Sequence, residues 1–254
     1  MRTAVLIFFF LTISVGCNSQ STKDESLTAQ QYEMLGMPNP EKIWQNIEYD
    51  KCIAILSDVK KENSKSLPQL KSKKSSILFR RLISPENLLF INDSSIDLQK
   101  RSIQLQFISA NFGKLLLLYY QNDASKQYYS NEVAEIIIFG FKMAEESFIL
   151  TNDLLKNVSV LNEEMKLGIQ NLKDGYRNTI LGTLSELERS NQYHVEDLEK
   201  LSIALNKNIS TNIKWIDPNV RLEIKEQINK ITQKKYSPIV NDKLIEIKNI
   251  LERF

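Results

Sequence analysis

Along most of this chain apolar residues recur at steps of three and four, with polar and charged residues between them. That is the spacing of one face of an α-helix. Cys52, Ile55, Leu56 and Val59 fall at i, i+3, i+4 and i+7. Between Leu98 and Tyr120 the rhythm runs through Leu105, Ile108, Phe112, Leu115, Leu116 and Tyr119. It continues through Ile136, Ile137, Gly140, Phe141, Ala144 and Phe148, and then across residues 162–190. Leu198, Leu201 and Leu205 carry it on, followed by Ile224, Ile228 and Ile231 and by Leu244, Ile247 and Leu251. The runs Leu115–Tyr120 and Ile136–Phe139 resemble buried strands when taken alone. They lie inside longer period-3.6 patterns and are read as helix.

Start signals agree with the pattern. Ser84-Pro85, Asp217-Pro218 and Ser237-Pro238 each join a capping side chain to a proline at the first helical position. Ser130 offers a further cap. No proline occurs in the 132 residues from Glu86 to Asp217; each one inside a helix would cost about 3 kcal/mol. Only seven glycines occur in 254 residues, which argues against a turn-rich sandwich or barrel. The expected fold is all-α: a single bundle-like domain over residues 38–254, with about seven to nine helices.

Gly168, Gly175 and Gly182 recur every seven residues. Seven residues is nearly two helical turns, so the three would form a stripe that drifts about 20° per step. Each glycine costs about 1 kcal/mol of helix propensity, and close approach of another helix would offset it. Gly140 and Ala144 are the candidates for the facing surface. The competing reading is that Lys173-Asp174-Gly175 is a turn that breaks the helix.

The first residues follow a different logic. Arg2 precedes an uncharged apolar run, Ala4 to Val15, of 12 residues. This is too short to span a bilayer, which takes about 20, and has the length of a secretory h-region. The run ends in Ser14-Val15-Gly16-Cys17. An apolar run closing on a small residue and a cysteine resembles the bacterial lipoprotein signal, although Ser14 stands where leucine is commonest. The resemblance implies cleavage after Gly16, lipidation of Cys17 and removal of residues 1–16. It also implies attachment to the membrane through the N-terminal lipid. Asn18 follows the cysteine, not Asp, which by the same resemblance favours the outer over the inner membrane. Lys23-Asp24-Glu25 loosely resembles acidic tether signals of surface lipoproteins. Residues 17–37 are expected to be a lipidated N-terminus and flexible polar tether, with the core beginning near Trp44.

Loss of Arg2 leaves 32 basic and 31 acidic side chains. With Cys17 acylated, Cys52 is the one thiol left, so no internal disulfide is expected. The charge is unevenly spread. Lys60, Lys61, Lys65, Lys71, Lys73, Lys74, Arg80 and Arg81 face only Glu62 between Lys60 and Arg81. Pro68 and several serines mark residues 64–76 as a loop between two helices. Lys71, Lys73, Lys74, Arg80 and Arg81 are the candidate contacts for an anionic partner, such as lipid headgroups, lipopolysaccharide phosphates or an acidic protein. Nucleic acid is not expected, because the aromatic interleaving of a strand-binding groove is missing.

Catalytic constellations are thin. G-x-G-x-x-G, the P-loop, H-E-x-x-H and G-x-S-x-G are all absent, and His194 is the single histidine. Cys52 sits on an apolar stripe, where cysteine packs as a small hydrophobe. Glu196, Asp197 and Glu199 read as a solvated helix start, not a calcium site. Glu146-Ser147 superficially resembles the Glu-Ser of lytic transglycosylases, but Phe148-Ile149-Leu150-Thr151-Asn152 follows in place of that family's segment. No catalytic residue, metal or cofactor is assigned. The primary expectation is a lipid-anchored, non-enzymatic helical protein that binds an envelope or extracellular partner. The alternative is a carboxylate-dependent hydrolase or lyase acting on cell-wall or surface glycans.

Overall fold

The computed structural model describes residues 27–254 apart from 74, 121, 122, 159 and 235. Among the described residues all regular structure is helical. The α-helices are α1 (Ala29–Met34), α2 (Asn46–Glu62), α3 (Ser76–Leu82), α4 (Leu89–Asn92), α5 (Leu98–Tyr119) and α6 (Asp123–Tyr128). They continue with α7 (Ser130–Asn157), α8 (Glu163–Glu188), α9 (Val195–Asn212), α10 (Pro218–Ile231) and α11 (Pro238–Arg253). Eight have seven residues or more, and both apolar runs that mimic strands are helical. The chain groups into two compact units, one ending at Phe139 and the other covering Gly140–Phe254, with α7 passing from one into the other.

In the first unit α2 and α4 pack against α5. Cys52 and Leu56 of α2, Phe79 and Leu82 of α3, Ile91 of α4, and Leu115 and Tyr119 of α5 are fully buried. The entry to α2 is set by its own sequence. Trp44 precedes the cap and meets Tyr49 edge-on at 6.2 Å, a hydrophobic staple, while the Glu48 carboxylate accepts the Gln45 N–H at 3.0 Å.

Packing begins earlier than the sequence suggests. Residues 29–34, inside the stretch read as tether, form α1. Thr28 and Gln31 cap each other reciprocally, at 2.7 and 3.2 Å, and Tyr32 is buried. The core therefore starts at Tyr32, before Trp44. The Ser84-Pro85 signal opens a short 3₁₀ turn, Pro85–Leu88, ahead of the single turn of α4.

In the second unit α9 packs on α8 and α11, and α10 on α8 and α11. Ile180 and Leu184, Leu201 and Leu205, Ile224 and Ile228, and Leu244 and Ile247 supply its apolar faces. Phe148 stacks on Trp215 at 4.7 Å and meets Tyr176 edge-on at 4.9 Å. Asp217 begins α10 but makes no capping bond; its carboxylate pairs with Lys173 at 2.7 Å instead. Helix α8 runs unbroken through Gly175, so the turn reading is overturned. The close-packing reading fails at both ends of the glycine stripe. A Cβ added at Gly168 or Gly182 would meet nothing within 4 Å, while Gly175 between them is buried. On the expected partner face, Gly140 is buried and Ala144 half-buried.

A clamped basic loop as candidate functional site

Helix α2 ends at Glu62 and α3 begins at Ser76, so the basic segment does contain the expected loop. Local chemistry shapes it. The Asn63 side chain accepts the Lys65 N–H at 3.0 Å, a turn that competes with continued helix. Ser75 Oγ accepts the Gln69 N–H at 3.1 Å, and Ser72 O accepts the Ser76 N–H at 2.9 Å.

The loop is also held by side chains of α1, α5, α6 and α7 and of Tyr129, in the turn between α6 and α7. Tyr32 donates its hydroxyl to Ser66 O at 2.6 Å. Tyr119 donates to Pro68 O at 2.8 Å. Tyr129 donates to Ser64 O at 2.8 Å and accepts the Leu67 N–H at 3.2 Å. The Gln69 amide donates to the Tyr128 hydroxyl at 3.0 Å. Glu132, itself buried, accepts the Leu70 N–H at 2.6 Å. Tyr119 stacks edge-on with Phe79 at 5.4 Å and with Tyr129 at 5.1 Å. Burial pushes the phenols of Tyr32, Tyr119 and Tyr129 above their usual range, so they remain protonated donors. Ser66, Leu67 and Pro68 are buried.

The clamp separates the cations into two groups. Lys60 donates to the carbonyls of Leu117, at 3.0 Å, and Leu118, the carboxyl end of α5. Lys61 pairs with Asp58 at 2.8 Å. Arg81 is buried, holding Glu86 at 2.7 Å and Asn87 at 2.8 Å. The candidate contact Arg81 is thus spent inside the protein. Lys71, Lys73 and Arg80 are exposed and have no ion-pair partner among the described residues. Lys65 is half-buried, its ammonium 5.1 Å from the centre of the Tyr128 ring. The candidate Lys74 lies outside the described residues. The arrangement offers positive charge on a backbone that need not be ordered on binding.

The clamp is what the sequence reading missed. The doublets Tyr119-Tyr120 and Tyr128-Tyr129 are visible in the sequence. Helical spacing reports which face a phenol lies on, but not which carbonyl it reaches.

The remaining candidates are scattered. Cys52 is fully buried as a free thiol, and burial pushes its ionisation up. His194 is exposed at the start of α9. Ser147 is buried and donates back to Met143 O at 2.7 Å within α7. Glu196 is exposed but Asp197 is buried, 3.6 Å from Lys200, so this helix start is only partly solvated. A crevice of about 10 Å³, room for one water, is lined by Lys173, Arg177, Trp215 and Asp217 among others. Among the described residues no group of three or more His, Cys, Asp or Glu side chains could hold a metal ion, and no helix is long and apolar enough to cross a membrane. The lipoprotein-like segment, with Gly16 and Cys17, lies outside the described residues. Comparison with protein-family models, with curated proteins and with solved structures yields no match.

Proposed function

We propose that this chain is a lipid-anchored cell-envelope protein that works by binding, not catalysis. Cys17 is the acylated residue, cleavage follows Gly16, and the outer membrane is the membrane occupied. The observation that carries this reading is the apolar run Ala4–Val15 closing on Ser14-Val15-Gly16-Cys17. The thiol is the acyl-group nucleophile, and the small residue before it admits the peptidase. One acyl chain holds a protein only marginally, whereas two or more hold it durably, at about 0.8 kcal/mol per buried methylene. The clamped loop, with Lys71 and Lys73 exposed upon it and Arg80 exposed on the following α3, supports a binding role toward an anionic partner.

Metabolic labelling with a clickable fatty acid in a bacterial host tests the anchor. The wild-type protein should take the label and fractionate with membranes after a high-salt wash. Cys17→Ser should take none. Label that persists in Cys17→Ser, or wild-type protein released by salt, would refute the reading.

A further inference from the structure

We infer that the basic loop is a second membrane contact, which lays the first unit against anionic headgroups of the bilayer holding the lipid. The inference rests on the anchoring reading above and adds where on the protein the bilayer touches.

The first step is the position of the loop relative to the anchor. Cys17 and Thr28 are eleven residue steps apart, with ten residues between them. Fully extended, those steps reach at most about 40 Å, at 3.3–3.6 Å per residue. The chain enters the described fold at α1, and the Tyr32 hydroxyl of α1 bonds Ser66 O in the basic loop at 2.6 Å. The point where the anchor joins the fold and the loop bearing the cations are therefore in direct contact. A surface that captures Cys17 stands within about 40 Å of the start of α1, the helix that touches the basic loop.

The second step is charge. Between Lys60 and Arg81 the one acidic residue is Glu62. Lys60 and Arg81 are held inside the fold and Lys61 is paired at the surface with Asp58, which leaves Lys71, Lys73 and Arg80 exposed for a polyanion, with Lys65 half-buried beside the Tyr128 ring. Near an anionic bilayer each basic residue contributes about 1 kcal/mol, roughly fivefold in the docking equilibrium constant. A lipid chain combined with a basic patch is a sufficient pair of signals for stable attachment.

The third step is preorganisation. Lys65 precedes the pinned Ser66, and Lys71 follows the pinned Leu70. The loop backbone is already ordered, so docking costs mainly side-chain entropy.

The test uses the lipidated full-length protein in phosphatidylcholine vesicles, with and without phosphatidylglycerol. Flotation reports anchoring. Acetylation rates at Lys71 and Lys73, referred to Lys207 and Lys230, report docking. The expected result is flotation with both vesicles. Only with phosphatidylglycerol at low salt should the rates at Lys71 and Lys73 fall, by about fivefold or more. High salt should abolish the protection. Arg80→Gln, an exposed and fold-neutral change, should weaken the protection by about fivefold. Protein that floats but labels equally in both vesicles overturns the inference and leaves the anchor standing. Protein that does not float overturns both. Equal protection in phosphatidylcholine vesicles by added inorganic phosphate or by polyglutamate overturns it too, and marks the loop as an isolated phosphate site or an acidic-protein site.

Discussion

The hydroxyl of Tyr119, at the end of α5, donates to the carbonyl of Pro68 at 2.8 Å, and both residues are buried. Fifty-one positions apart in sequence, they fix the loop to the core of the first unit. Tyr119→Phe keeps the ring and its contacts with Phe79 and Tyr129 but removes the donor. A buried carbonyl then loses this donor, at about 1–3 kcal/mol. Urea denaturation should show that loss, and hydrogen exchange should rise in residues 63–75 more than in α5. Unchanged exchange in the loop would mean that the remaining tyrosines hold it without Tyr119.

Glycine supplies a prediction of opposite sign. Gly113, Gly168 and Gly182 lie inside helices with nothing within 4 Å of an added Cβ. Alanine there loses no packing and restricts the unfolded chain, so each change should stabilise by about 0.5–1 kcal/mol. Gly36 is the control. Its φ of +75° is one that side chains resist, and Gly36→Ala should destabilise by about 1–2 kcal/mol. Thermal denaturation of the four single variants checks both signs.

How much of this was legible depends on what kind of signal carried it. Helix identity was legible because period and caps act locally: Asn162 caps α8 through the Met165 N–H at 2.8 Å, and Ser237 caps α11 through the Val240 N–H at 3.3 Å. The fate of single charges was missed where helix phase was not applied, since the sequence reading makes both Arg80 and Arg81 contacts. At about 100° per residue, the burial of Leu78, Phe79 and Leu82 turns Arg81 inward and its neighbour Arg80 out to solvent. The loop clamp was not legible, because it joins Tyr32, Tyr119, Tyr129 and Glu132 to carbonyls and amides far off in sequence. Nor was α1, where six residues depend on one capping box and one buried tyrosine. The glycine stripe misled because even spacing shows that residues share a helical face, not that another backbone approaches it.

Phe148 is the packing centre of one aromatic group in the second unit. Its ring lies 4.7 Å from Trp215, inclined by 9°, and 4.9 Å from Tyr176, inclined by 82°. Phe148→Ala removes both contacts and leaves a cavity, a loss of about 3–5 kcal/mol. Phe148→Leu should cost distinctly less, because part of the volume remains. Denaturant unfolding followed by tryptophan fluorescence measures both variants. Equal loss for the two would show that the aromatic stack matters more than the filled volume.

The alkaline behaviour of the protein should contain a signature of Lys60. Burial lowers its ammonium from the ordinary value of 10.5 to about 8, although its Nζ lies on the carbonyls of Leu117 and Leu118. Between those two values the unfolded chain binds the Lys60 proton and the folded chain does not, so this residue makes stability rise with pH. Below about 8 both states carry the charge, and its burial penalty is present in full; above 10.5 neither does, and the penalty is gone. The buried thiol of Cys52 and the buried phenols of Tyr49 and Tyr119 act oppositely, since burial raises their ionisation and they stay protonated in the fold while the unfolded chain loses its protons. The wild-type slope is therefore a sum of opposed parts. Comparison with Lys60→Met isolates the lysine, because the other groups are common to both proteins. Urea midpoints taken across this range should converge for Lys60→Met and wild type as the pH rises, with any advantage of the methionine protein largest below pH 8. A constant difference across the range would show that the two α5 carbonyls offset the desolvation of the ammonium in full.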